Sequence, residues 1–161
     1  MLIIGENDSL IGRNVLKLLN VLYQKQNVTV GYSCSIKMYN SSSELGKCKD
    51  IDNLYFKTKT FRNNIQYEKY RLMSFYTNLF RRIKVKDLTF DNGTFFSNAI
   101  DKAIMIPLIE MSYPNVLIVK EIMYEDRHDK ESRDLLQEGV ETNIILSKNP
   151  YERIEGLVLS L

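Results

Sequence analysis

The sequence predicts an α/β fold, a mixed sheet flanked by helices, formed as a single domain over residues 1–161. Three observations predict it. A length of 161 residues is that of one domain rather than two. A content of 44% hydrophobic and 26% charged residues suits a chain that buries a core. The opening segment reads strand, polar turn, helix, strand, which is the βαβ order of a parallel sheet.

Leu2-Ile3-Ile4 is the first strand signal, halted by Gly5 and a polar cluster. Ser9 reads as a helix N-cap. From Leu10 the apolar residues Ile11, Val15, Leu18, Leu19 and Leu22 recur at helical intervals to about Gln24. Val28 to Ile36 follows as a strand. Met38 to Asn53 is polar, shows neither period and reads as a mobile loop. Tyr55 to Phe75 reads as loop and short strand, and Thr77 to Lys86 as one or two helical turns. Asp91-Asn92-Gly93-Thr94 marks a turn. Ile100, Ala103, Ile104, Pro107, Leu108 and Met111 share one face of a helix over Asn98 to Met111, stopped by Tyr113-Pro114. Pro107 deletes the amide that would bond the Ala103 carbonyl. Val116 to Val119 is a strand and Ile122 to Tyr124 another. A helical pattern runs from about Asp129, and Pro150 begins a last short helix.

The longest apolar runs fall well short of the roughly 20 residues of a spanning helix. No basic-then-apolar segment opens the chain, so the expectation is a cytoplasmic protein without a secretory signal or a transmembrane segment. Two cysteines, Cys34 and Cys48, lack the spacing of a zinc site and read as reduced. His128, the one histidine, lies in a charged stretch and reads as solvated surface. Charge is uneven. Between Tyr55 and Lys86 nine basic residues face one acid, Glu68, for +8, and the rest of the chain carries −6. Eight aromatic residues lie among those cations, the interleaving used by single-strand nucleic-acid grooves. Core aromatics, a solvated face or a site for an anionic sugar nucleotide are the competing readings, and nucleic acid is not favoured.

Gly5-Glu6-Asn7-Asp8, at the end of a strand, offers carboxylate oxygens suited to Mg²⁺ or Mn²⁺. The alternative is a polar turn that caps the following helix. Asp101 sits at the edge of an apolar helix face, where a carboxylate suits general-base work, or else in a first turn where the helix dipole favours an acid.

Phe95 to Met111 resembles a stretch of the family 2 glycosyltransferases of the GT-A fold, matching at Asp101, Ala103, Met105, Pro107, Glu110 and Met111, with Tyr124 after it. Leu2 to Leu10, with Val15, Leu16 and Leu19, is similar to the segment carrying the D-x-D-type metal motif of that family. Leu72-Met73-Ser74-Phe75 with Leu79-Phe80 resembles its leucine-arginine-threonine-phenylalanine segment, and Pro150-Tyr151-Glu152-Arg153 a common ending. The resemblance implies a truncated GT-A-like, Rossmann-like sheet and inverting transfer of a sugar from a nucleotide sugar to an acceptor hydroxyl. It implies Asp101 as base, Asp8 and Glu6 as ligands of Mg²⁺ or Mn²⁺, and Arg71 and Glu110 as substrate-binding residues. For Glu110 the competing reading, and the favoured one, is a solvated helix-end acid or a structural hydrogen-bond partner.

Three departures qualify this. The nucleotide-binding half has no counterpart, Gly5 and Asn7 stand where aspartates are usual, and Met73 replaces the arginine. The expectation is therefore a chain that is incomplete or works as an oligomer or with a partner chain. The alternative is a non-catalytic interaction protein that binds protein or nucleic acid through the basic aromatic block 55–86.

Overall fold

Six strands form one sheet in the order β1-β5-β3-β6-β2, with β4 added beside β3. The computed structural model describes residues 1–5, 8–25, 27–39, 42–45, 50–64, 71–126 and 134–155. The strands are β1 (Leu2–Ile3), β2 (Ser9–Leu10), β3 (Val30–Tyr39), β4 (Ser42–Leu45), β5 (Arg71–Phe75) and β6 (Val116–Asp126). The helices are α1 (Val15–Lys25), α2 (Asn53–Lys57), α3 (Phe61–Asn64), α4 (Thr77–Phe80), α5 (Ile100–Ser112) and α6 (Leu135–Ser147), with a 3-10 turn at Val85–Asp87.

Among the described residues parallel pairing is confined to β3 and β6; β1 with β5, β5 with β3, β3 with β4 and β2 with β6 are antiparallel. Two antiparallel steps make β1 run in the direction of β3, but β5 lies between them and β2 precedes α1 in the chain, so the expected unit of a parallel sheet is not formed. The α/β mixed sheet expected from the sequence is the architecture found.

Alternation along β6 separates two cores, because successive strand side chains point to opposite faces. Leu117 and Val119 join Val15, Leu19, Leu22 and Leu72 beneath α1. Val116 and Ile118 join Val30, Tyr32, Met73, Phe75 and the buried stretch of α5 on the other face. Leu72 reaches the α1 face through a bulge. β5 carries one residue more than β3 between the pairs Ser74↔Gly31 and Arg71↔Ser33, and Leu72 takes a φ of 47° there.

Several expectations are corrected. Ser9 is not an N-cap: it pairs with Glu125 in β2, its Oγ donates to Glu125 Oε2 at 2.9 Å, and α1 begins only at Val15. Part of the segment expected to be a mobile loop forms β4, paired with Ile36 to Tyr39. Helices α2 and α3 occupy positions read as loop and short strand. The two strands expected at 116–124 are one, with irregular register opposite Ser33 to Ser35. No helix follows Pro150 among the described residues. The Tyr151 N–H is taken by Glu110 Oε2 and the Ile154 N–H by the Met111 carbonyl, which holds the segment extended against α5. Among the described residues no helix is long and apolar enough to cross a membrane.

Candidate active site

Asp8 is positioned by the β2–β6 pairing. Leu10 sits opposite Tyr124, and the Tyr124 hydroxyl reaches back to donate to Asp8 Oδ2 while accepting from the Gly5 N–H at 3.0 Å. The Asp8 N–H closes the turn onto the Gly5 carbonyl at 3.2 Å. Glycine lets the Asp8 carboxylate sit here, since a Cβ at position 5 would stand 2.1 Å from Asp8 Oδ2 and oblige that side chain to move. An aspartate here would displace the Asp8 carboxylate from its place on Tyr124. Tyr124 is buried and Asp8 half-buried, so the carboxylate is anchored at the carboxyl end of β6.

For a divalent cation this locus supplies one described carboxylate, and a phenol already occupies one of its oxygens. Glu6, the second expected ligand, lies outside the described residues. Among the described residues no cluster of three or more His, Cys, Asp or Glu side chains could hold a metal ion. The described donors therefore do not make up a Mg²⁺ or Mn²⁺ site, and no chemical step is routed through one.

Asp101 lies in the first turn of α5, half-buried, with Oδ1 accepting the Lys102 N–H at 2.8 Å. The carboxyl end of α5 is tied to the start of β6 by only three residues, so Asp101 stands about 18 Å along the helix from that junction. Asp8 is likewise remote from it, at the far end of β6. Beside Asp101 the chain is closed by α6. Lys102 Nζ donates to Glu138 Oε1 at 2.8 Å and to Thr142 Oγ1 at 3.0 Å. Glu141, wholly buried, accepts the consecutive N–H groups of Ser97 (3.2 Å), Asn98 (2.9 Å) and Ala99 (2.7 Å). Burial pushes its carboxyl up, but the Ala99, Ser97 and Asn98 amides together with the Asn98 side chain outweigh that and hold it below the usual carboxylate range.

Glu110 is not gathered with Asp101. It lies nine residues on, about 14 Å along the helix axis. It is buried and takes two bonds from Arg62, Nε to Oε1 at 2.7 Å and Nη2 to Oε2 at 2.8 Å. The Arg62 Nη1 atom donates to the carbonyls of Ile145 and Lys148 at 2.8 and 3.0 Å. With the Tyr151 N–H added at 3.0 Å, Glu110 has the surroundings of a structural hydrogen-bond partner. Arg71 opens β5, paired with Ser33 of β3, so its backbone is part of the sheet.

Among the described residues of the basic block, the buried Arg62 apart, the aromatic residues divide from the cations. Phe61 and Phe75 are buried in the α5-side core, with Tyr55, Phe56 and Phe80 packed against it. Lys57, Lys59, Arg81, Arg82, Lys84 and Lys86 are exposed. Sequence reading singled out neither Arg62 nor Glu141. Arg62 had no local signal, since its partners lie 48 to 86 residues away. Glu141 had one: it precedes the buried Ile145 by four residues and so shares its helix face. No protein-family model, curated protein or solved structure matches the chain.

Proposed function

We propose that the chain is a glycosyltransferase-like protein acting by inversion, with a nucleotide sugar as donor, an acceptor hydroxyl as nucleophile and Asp101 as the base. In this reading the Asp101 carboxylate takes the hydroxyl proton, the freed oxygen attacks the anomeric carbon, and the nucleoside diphosphate departs from the opposite face. The observation that carries the reading is the anchored Asp8 at the carboxyl end of a strand paired in parallel, where α/β sheets collect their ligands. The resemblance of Phe95 to Met111 supports it independently. A homo-oligomer or partner chain belongs to the same proposal, and Leu135, Leu136 and Val140, exposed along α6, offer apolar surface for it.

A second reading, a non-catalytic interaction protein, is favoured by one observation: the Asp8 carboxylate is held by Tyr124 across the sheet, as a polar turn fixed in the fold would be. One experiment separates the two. The chain, in whatever oligomer it forms, is incubated with UDP- and GDP-sugars and Mn²⁺, and release of the nucleoside diphosphate is followed. Transfer that is abolished by Asp101→Asn, with thermal unfolding unchanged, supports the first reading. Transfer untouched by the substitution removes Asp101 as base, and no release with any donor favours the second.

A further inference from the structure

A cavity of about 520 Å³ opens at the carboxyl end of α5, remote from Asp101 and Asp8, and is of the size that holds small molecules. Its charge is unbalanced. Arg62 and Glu110 line it but neutralise each other, and Lys148 is held by the Lys86 and Thr89 carbonyls. Lys57, Lys59 and Arg153 also line it, are exposed, and have no ion-pair partner among the described residues. Against these three cations stands one further acid, Glu152.

The wall beside them is flat and aromatic. Phe61, Phe56 and Tyr113 form a continuous stack, with centroids 4.5 and 3.7 Å apart and planes within 23° and 11°. Phe56 lies between the other two rings and Phe61 is buried, so Tyr113, half-buried, is the end of the stack nearer solvent.

Lys59 adds an independent observation. Its N–H donates to the Phe56 carbonyl and the Thr60 N–H to the Tyr55 carbonyl, the paired bonds of a Schellman ending to α2. The position needs left-handed backbone, and Lys59 has a φ of 57°. Glycine meets that need without the steric penalty of a Cβ. A lysine is held instead, and it lines the cavity.

We propose that this cavity is a binding site for a small organic anion bearing a flat ring, with the anionic group among Lys57, Lys59 and Arg153 and the ring extending the stack at Tyr113. The site is separate from the proposed transfer chemistry and does not rest on it. Three cations facing one acid leave net positive charge that attracts the anion, and the half-buried end of a ring stack offers a face to a further ring.

Isothermal titration of the full chain at low salt, with phenyl phosphate and inorganic phosphate as probes, tests this. The expected result is saturable one-to-one binding of phenyl phosphate, with inorganic phosphate at least tenfold weaker. Lys59→Gly should weaken phenyl phosphate at least tenfold while leaving the melting temperature equal or higher, because glycine suits the backbone there. A merely structural lysine would show the thermal effect without the loss of binding. Arg153→Gln, at an exposed position, should weaken binding without loss of folding. Absence of saturable binding overturns the proposal, as does an affinity unchanged in both variants. So does a single-stranded oligonucleotide whose binding grows with length and is not displaced by phenyl phosphate, which would mark an extended polyanion surface instead.

Discussion

The two ends of α5 each bury a glutamate, and they neutralise it by different means. At the amino end Glu141 receives three successive backbone N–H groups, occupying the place where helix starts elsewhere hold bound anions. At the carboxyl end Glu110 faces a full positive charge, Arg62, whose remaining donors go to carbonyls at the end of α6. Partial charges suffice for the first, while the second needs a guanidinium in a fork geometry. The contrast teaches that a buried carboxylate on this fold is first a packing device. It also shows why open charge collects at one end only: Arg62 is used up by Glu110, and the lysines around it are left over.

Breaking the guanidinium end should cost most. Arg62→Ala leaves Glu110 buried without its counter-charge and should lower stability by about 3–5 kcal/mol in urea unfolding. The double variant Arg62→Met, Glu110→Leu should recover most of that loss, since neither charge remains to be desolvated. Failure to recover would assign the larger share to the carbonyls of Ile145 and Lys148.

At the amide end Glu141→Gln should cost less, about 1–3 kcal/mol, because one oxygen can still accept while the amide group opposes a donor to donors. The same variant carries a pH signature. The folded-state pKa of Glu141 lies below its unfolded value, so its contribution is full above the ordinary glutamate pKa of about 4.3 and is lost as pH falls through the folded value. Urea midpoints measured from pH 6 to pH 3 should fall more steeply for the native chain than for the variant. Equal slopes would mean that the three amides do not favour the charged form. Smallest of all, Lys120→Ala removes an ion pair with Asp50 whose side chains are 67% and 70% exposed, and should shift stability by less than about 0.5 kcal/mol. A larger change there would mean that charge at the surface counts for more than the contrast between the helix ends allows.

Legibility followed burial. Helix α5, with almost continuous apolar character from Ala103 to Met111, was readable to within two residues at its start and one at its end. Strand β3, read two residues early at its start and three at its end, was readable because Val30 and Tyr32 belong to the core. Helix α1 starts later than its period: Ile11 fits the helical spacing and yet stands exposed in a bend, its N–H given to the Met123 carbonyl and Gly12 beside it at a φ of 91°. Strand β4 has little apolar character, so no period could disclose it. At the candidate site, Tyr124 and Asp8 were both named from the sequence, but their bond spans 116 residues and is a product of sheet register. The role of Glu110 turned on Arg62, which no spacing rule connects to it.

The Arg62 junction also bears on when the domain can finish folding as it is made. Arg62 and Glu110 emerge well before their last partner, the Tyr151 N–H, which follows Glu110 by 41 residues. At the usual ~5–20 residues per second of synthesis, that interval is about 2–8 s. Through it α5 can form and pack on the strands already made, but the carbonyls of Ile145 and Lys148 that complete Arg62 do not yet exist as partners. The nascent chain therefore passes seconds with an ion pair whose burial is incomplete, and the α5-side core closes only when the stretch after α6 arrives.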